Sequence, residues 1–379
     1  MKKILIFNAH YYPGYAAGGI VRTIINTADW IGDKFHFFIV TKDRDLGDNK
    51  PYPNIPIDSW HDYGKSKIKY LPPHKLNFSE LRRIINDLKP DFIHLNSYYD
   101  LTFTLKILIL KRLNLINVDK IVMSPRGEFV EGPMRIKYFK KISYVLLTKL
   151  LGLHKQIIWH ASLDLEASGI SKVIGVAQKN VKIAIDLPLH PDSIPKLTIK
   201  PTKDFKVFFF SRITREKNLD GALKILMFVK EKISFDIVGF IEDPDYWSEC
   251  ESLIKKLPKN IKINVVGMIP SDEKLKILSS YDLLFFPSHG ENFGHVIAES
   301  IAVGTRALLS KLPAWPDLHK DSIGWNFDLN QPKLFAKKID ELSRDMITNK
   351  NSLRKLVAQS ARKRLFRLSG LDENINLYQ

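Results

Sequence analysis

Short runs of β-branched and aromatic residues recur along this chain, and most are followed by apolar residues at helical spacing. No other feature limits the fold as much. In the first half the strand candidates are KILIFN (3–8), FHFFIVT (35–41), KIKYL (67–71), DFIHLN (91–96), KIVMSP (120–125) and QIIWHA (156–161). Helical patterns such as IVRTIINTADWI (20–31) and SELRRIINDLK (79–89) alternate with them. Strands alternating with helices form βα units and a mostly parallel sheet. The pattern lapses over residues 186–204, which hold four prolines and no periodicity, as an inter-domain connector does. It resumes with FKVFFFSR (205–212), SFDIVGF (234–240), IKINVVG (261–267), DLLFFPS (282–288) and RALLS (306–310). A chain of 379 residues exceeds the size at which one core usually divides. The expectation is α/β: two doubly wound domains, 1–188 and 189–350, facing across a cleft. A Lys- and Arg-rich helical tail, 351–379, is expected to pack back on the first domain. Ligands of such sheets bind beyond the C-terminal strand ends.

Composition excludes several classes. With one cysteine, Cys250, there is no internal disulfide framework and no Cys-rich metal site. The N-terminal MKKILIFN is too short an apolar run for a secretion signal, and no small-residue cleavage site follows it. The longest apolar stretches are interrupted by Lys106, Lys111 and Lys149 before reaching a membrane-spanning length. The expected location is therefore cytoplasmic, peripheral on the inner face of the cell membrane. The formal charge is +17, and residues 1–190 hold 28 basic against 17 acidic side chains. No acidic residue lies between Glu131 and Asp164, while Arg135, Lys137, Lys140, Lys141, Lys149 and Lys155 are basic. The segment MRIKYFKKISYVLLTKLLGLHK (134–155) reads as one amphipathic helix, able to lie on an anionic membrane or to present a solvated basic face to water. Nucleic acid is not an expected partner, since no aromatic-basic reading module is present.

Four constellations follow predicted strands. In AHYYPGYAAGGIVRTI, Gly14, Gly18 and Gly19 precede a helix, allowing close backbone approach to an anion at the helix start. This is neither a Walker loop nor a GxGxxG fingerprint. In FFFSRITREKNLDGAL, Arg212 and Lys217 offer a fork and a point charge suited to a diphosphate, with Arg215 between them as a bystander. In SHGENFGHVIAESIAVG, Glu291 precedes a helix whose first N–H groups, around Phe293, Gly294 and His295, face outward. Glu299 falls eight residues later inside an apolar run, where a carboxylate needs either a cationic partner or a polar ligand such as the hydroxyls of a ribose. In MSPRGEF, Pro125 and Gly127 force a turn that presents Arg126 and Glu128. The acidic pairs Asp43/Asp45 and Asp243/Asp245 invite a metal reading, but the second is better placed to open a surface helix.

Arg-x4-Lys after a strand, followed by Glu-x7-Glu across a loop and helix start, resembles family 4 glycosyltransferases of the GT-B fold. The Gly-Gly loop and SPRGEF are similar to bacterial polysaccharide-assembly members of that group. The resemblance spans essentially the whole chain and implies retaining transfer of a sugar from a nucleotide-sugar, with UDP preferred over GDP. The implied acceptor is a glycan or lipid-linked glycan in cell-surface polysaccharide synthesis, and neither metal nor cofactor is expected. Arg212 and Lys217 would bind the diphosphate, Glu291 the sugar hydroxyls, and Glu299 the ribose. The amides of Asn292, Phe293, Gly294 and His295 would surround sugar and phosphates, and Gly18 and Gly19 would approach the phosphate. Gly239, Phe240, Met268 and Pro270 would lie near the base. Arg126 stands where many members have a histidine, which implies a cation contacting donor or acceptor oxygens. His295 replaces a commonly aliphatic residue. Glu291, Arg212, Lys217 and Arg126 are thus the catalytic candidates. Two other readings stay open: a nucleotide-sugar epimerase of the same fold, and a non-catalytic membrane- or glycan-binding subunit.

Overall fold

The computed structural model describes residues 1–14, 18–135, 137–195, 204–345 and 350–379. Two compact units form, one from Met1–Leu187 with Ser369–Gln379, the other from Pro188–Leu368. The first holds strands β1 (Lys2–Phe7), β2 (Phe35–Lys42), β3 (Trp60–Tyr63), β4 (Ser66–Leu71), β5 (Phe92–Asn96), β6 (Lys120–Ser124), β7 (Ile157–Ala161) and β8 (Val181–Ile183). Their order is β3-β4-β2-β1-β5-β6-β7-β8, with only the β3–β4 pair antiparallel. Along β1, Ile4 and Ile6 pack with Ile24, Ile25 and Ile31 of the helix Gly19–Ile31, while Leu5 and Phe7 pack with Leu81, Ile85 and Ile107 on the other face. Alternation at period two therefore buries both sides of the strand under helices.

The second unit holds β9 (Phe205–Phe210), β10 (Ile233–Val238), β11 (Ile261–Gly267), β12 (Leu283–Phe286), β13 (Arg306–Ser310) and β14 (Gly324–Phe327). All are parallel, in the order β11-β10-β9-β12-β13-β14. This is the doubly wound order whose direction reverses between β9 and β12; in the first unit the reversal falls between β1 and β5. The strands without a sequence-predicted counterpart, β3, β8 and β14, all lie at sheet edges.

The basic segment 134–155 is not one helix. It divides into Glu131–Arg135 and Tyr138–Leu150, with Lys137 in the left-handed region (φ 55°) at the start of the second. The tail 351–379 also divides. The helix Lys350–Leu368 is fixed in the second unit by the buried guanidinium of Arg354, which donates to the carbonyls of Ser279 and Tyr281 and to Asp282. Ser369–Gln379 belongs to the first unit, where the Tyr378 side chain is buried.

Tyr378 ends a buried polar chain whose proton order can be worked out. His160 Nε2 lies 2.9 Å from the Ala184 carbonyl, which can only accept, so this nitrogen carries the proton. His160 Nδ1 then accepts from Ser124 Oγ at 2.6 Å, Ser124 accepts from His94 Nε2 at 2.7 Å, and His94 Nδ1 accepts from Tyr378 at 2.7 Å. Every group is satisfied with both imidazoles neutral. Burial lowers the His94 pKa well below its usual value and that of His160 below its own, with the nearby Arg126 charge adding to both. A depressed histidine pKa contributes stability that is complete above about pH 6.5 and is lost as pH falls below it. Glu128, whose carboxyl burial pushes up to about 7, works in the opposite sense as pH rises. In a Glu128→Gln background, which removes the opposing group, thermal melts should therefore show a lower Tm at pH 5.5 than at pH 7.5. His94→Gln should narrow that difference while lowering the Tm at both.

Candidate functional site

In the second unit the predicted residues gather at the C-terminal ends of β9 and β12, on either side of the order reversal. After β9 the chain runs through Arg212 to a single 3₁₀ turn, Arg215–Lys217, and Asn218 in the left-handed region then starts the next helix. The Asn218 side chain donates to the Pro287 carbonyl at 2.7 Å, and His289 N donates to the Glu216 carbonyl at 3.0 Å. These bonds join the β9 loop to the β12 loop. Lys217 completes the junction. It is buried, with Nζ 3.1 Å from Glu291 Oε2 and 3.2 Å from the Gly290 carbonyl. Two motifs 74 residues apart thus meet in one ion pair.

Arg212 is more exposed and pairs with Glu242 at 2.5 Å. Arg215 points elsewhere, to Glu249, with its guanidinium over the Tyr246 ring. Gly294, at φ 79°, caps the helix His295–Ala302. Phe293 is a core residue: its carbonyl accepts from Trp315 and its ring packs against His295 and Trp315. Its ring is therefore closed to a ligand, and its carbonyl is already taken by Trp315. His295 is buried as well. Glu299 is 1% exposed and ion-paired with Lys274, whose ammonium also sits 5.0 Å from the Phe210 ring centroid. Lys274 has no counterpart in the sequence reading; the apolar run around Glu299 called for a cation but could not say which.

Beside Arg212, Gly239 adopts φ 141°, and a Cβ there would lie 1.7 Å from the Ser211 carbonyl oxygen. Its amide donates to Gly267, and the Phe240 carbonyl accepts from Ile213. Gly239, Phe240, Met268 and Pro270 therefore border the loops after β10 and β11, with Met268 and Pro270 exposed. Asp243 caps the helix Pro244–Ile254 by accepting from Tyr246 N, as a helix-opening residue should.

In the first unit Gly18 (φ 75°) and Gly19 begin the helix after the β1 loop and are exposed; residues 15–17 of that loop lie outside the described residues. Arg126 follows β6 with φ 57°, a conformation that L side chains adopt rarely. Its side chain is buried, donating to Asn96 Oδ1 at 2.9 Å and to Asp186 Oδ1 at 2.7 Å. The turn is pinned from below by the buried Glu166, which accepts from Gly127 N, Ser162 N and Ser162 Oγ. Glu128 does not project to solvent. It accepts from Ser97 Oγ at 2.5 Å and Tyr98 N at 2.6 Å. Asn96, Asp186 and Glu166 escaped the sequence reading because none stands in a motif. Asp43 and Asp45 are both buried in local bonds, to Arg44 and to Leu46 N. Among the described residues no group of three or more His, Cys, Asp or Glu could hold a metal ion.

The architecture is that of GT-B glycosyltransferases. HepE of Anabaena, solved with UDP-glucose, superposes with a TM-score of 0.65 at 14% identity, over 99% of this chain and 98% of HepE. WaaG, a glycosyltransferase involved in lipopolysaccharide biosynthesis, does so at 0.59 and 14%, over 99% and 98%. In sequence the chain is similar to an uncharacterised 42.6 kDa protein in the cps region of Klebsiella pneumoniae, 23% identical over 346 residues, 84% of this chain and 87% of that protein. Residues 192–364, which lie within the second unit, match the family model of the glycosyl transferases group 1.

Two substitutions test this geometry. Gly239→Ala forces both the φ and the Ser211 contact, and should cost at least about 3 kcal/mol, read as a lower urea midpoint. Lys274→Met takes a cation from a carboxylate that is almost wholly buried and should cost about 3 kcal/mol; adding Glu299→Gln should recover much of it.

Proposed function

We propose that this protein is a retaining glycosyltransferase that moves a sugar from a nucleotide-sugar, UDP-linked in preference to GDP-linked, onto a glycan or lipid-linked glycan of a cell-surface polysaccharide. The observation that carries the proposal is the meeting of Lys217 with Glu291 at the β9/β12 reversal, inside the segment that matches the group 1 glycosyltransferase model. UDP is favoured because the similar HepE was solved with UDP-glucose.

In this reading negative charge grows on the leaving diphosphate as the sugar becomes oxocarbenium-like. Arg212, Lys217 and the first N–H groups of the helix His295–Ala302 stabilise that charge, each charge-assisted bond contributing roughly 1.5–3 kcal/mol. With these groups in place the reaction as proposed calls on no metal. Glu291 orients the sugar through its hydroxyls while holding Lys217 in reach. A carboxylate has about four acceptor sites, so Glu299 can take the ribose hydroxyls while still paired with Lys274. Gly18 and Gly19 lend backbone to the phosphate, and Arg126 contacts donor or acceptor oxygens. Retention follows if the acceptor attacks from the face of the departing phosphate, which then takes its proton. No side chain is assigned as a nucleophile. An epimerase would instead give a mass-identical product from the donor alone.

The test is a thermal-shift titration with UDP, GDP and ADP in EDTA, on wild type and on Arg212→Ala, Glu299→Ala and Glu291→Ala. Stabilisation by UDP is expected, about 2.7 kcal/mol at a hundredfold excess over Kd. Arg212→Ala and Glu299→Ala should weaken it by roughly tenfold or more in Kd, and Glu291→Ala should chiefly reduce turnover. No stabilisation of the wild type by any nucleotide would overturn the proposal. UDP affinity unchanged in Glu299→Ala would refute the ribose assignment.

A further inference from the structure

We propose that the outward face of the helix Tyr138–Leu150 is a docking surface for an anionic lipid bilayer. This deepens the lipid-linked part of the reading above and rests on it for the acceptor, but not for the surface itself. Phe139 and Leu150 are each 85% exposed, Leu146 is 61% and Leu147 is 53% exposed. Positions 139, 143, 146 and 150 follow the i, i+4, i+7, i+11 spacing of one helical face, with the small Ser143 between Phe139 and Leu146 and with Leu147 on its edge. Lone exposed apolar residues are ordinary, but four large ones on one face of a single helix mark an interaction site.

The opposite face fixes this orientation. Val145 and Thr148 are buried, Thr148 Oγ1 lies 2.5 Å from the Tyr98 hydroxyl, and Tyr144 donates to the Tyr98 carbonyl. The helix therefore cannot roll to hide the stripe without breaking this network. At its far end Arg112 donates to the Leu151 carbonyl, placing exposed Leu113 and Leu115 on the segment that follows it.

Charge decides the occupant. Lys140 and Lys149 stand on opposite shoulders of the stripe, Lys137 and Lys155 lie exposed at its two ends, and no acidic side chain occurs between Glu131 and Asp164. An apolar strip edged by one sign of charge suits a surface with an apolar interior and anionic headgroups. It suits a second copy of the same face poorly, because pairing would set lysines against lysines. The helix Lys350–Leu368 is also basic, yet it turns Arg354 and Arg364 inward to Asp282 and Asp321, and its exposed Leu353, Leu356 and Phe366 are each less exposed than Phe139 and Leu150.

The experiment is co-sedimentation of the full chain with vesicles of phosphatidylcholine alone and of phosphatidylcholine with phosphatidylglycerol. It is run on wild type, on Phe139→Ser/Leu150→Ser and on Lys140→Glu/Lys149→Glu, with Tm and the UDP shift recorded for each. Wild type should bind the anionic vesicles at least tenfold better than the neutral ones, and each double variant should lose at least tenfold. Because both lysines are exposed and the lysine variant gives up a single hydrogen bond, from Lys149 to the Val173 carbonyl, it keeps the test decisive if the apolar variant folds poorly. The proposal is overturned if wild type shows no preference for anionic vesicles, or if both folded variants bind as wild type does. A concentration-dependent dimer abolished by Phe139→Ser/Leu150→Ser would also overturn it, assigning the face to a second copy. None of these readouts uses sugar transfer, so failure here leaves the nucleotide result standing, and failure there leaves this one.

Discussion

The ion pair between Lys217 and Glu291 is the constraint on which the site in the second unit depends. Where a doubly wound sheet reverses its strand order, the loops after the two central strands run off toward opposite faces, and no ladder hydrogen bond ties them together. Here β9 and β12 share register only through Leu283 and Leu284, short of their C-terminal ends. The loops beyond are joined instead by Lys217 to Glu291, Asn218 to Pro287, and His289 to Glu216. Removing the lysine would leave Glu291 without that cation and the start of the helix His295–Ala302 less firmly placed. The same cation that suits a phosphate therefore also shapes the pocket that would receive it.

The first unit solves a comparable problem with strain. Arg126 stands in a left-handed conformation that costs on the order of 1–3 kcal/mol, between a proline and a glycine. Its guanidinium is anchored by Asn96 and Asp186, while Glu166 holds the next amide. Below this turn, Ser124 carries the polar chain from Tyr378 through His94 to His160. The last residues of the sequence thus stiffen the strand that delivers Arg126. The adjacent strands β5, β6 and β7 link Tyr378, the buried histidines and the strained arginine.

What the sequence made legible follows from what is local. The strands held between two neighbours announced themselves as runs rich in apolar, β-branched or aromatic residues, because both their faces meet helices, and the seven-residue β11 at one edge did so by length. The edge strands β3, β8 and β14 did not, since a short strand with one open side needs no such run. The four loop motifs were readable because proline, glycine and charged residues at strand ends have few other uses. Their partners were not readable. Lys274 for Glu299, Asp186 for Arg126 and Glu242 for Arg212 are each supplied by a distant segment, and any of 41 acidic or 58 basic residues could have served. The one helix expected over 134–155 failed at Lys137, where the backbone turns left-handed between two shorter helices.

The uneven charge then acquires a structural meaning. In the second unit many basic side chains are matched: Arg212 by Glu242, Arg215 by Glu249, Arg354 by Asp282, and Arg364 and Arg367 by Asp321. In the first, the lysines flanking the helix Tyr138–Leu150 lie in a stretch without any acidic residue. The exception is Lys141, which turns inward beside the Tyr99 ring and under the influence of Glu128, where burial lowers its pKa. Glu128 in turn holds the amides of Tyr98 and Tyr99. The outer face of this helix is thus free to meet a charged surface, while its inner face bears on the loop that adjoins the Arg126 turn.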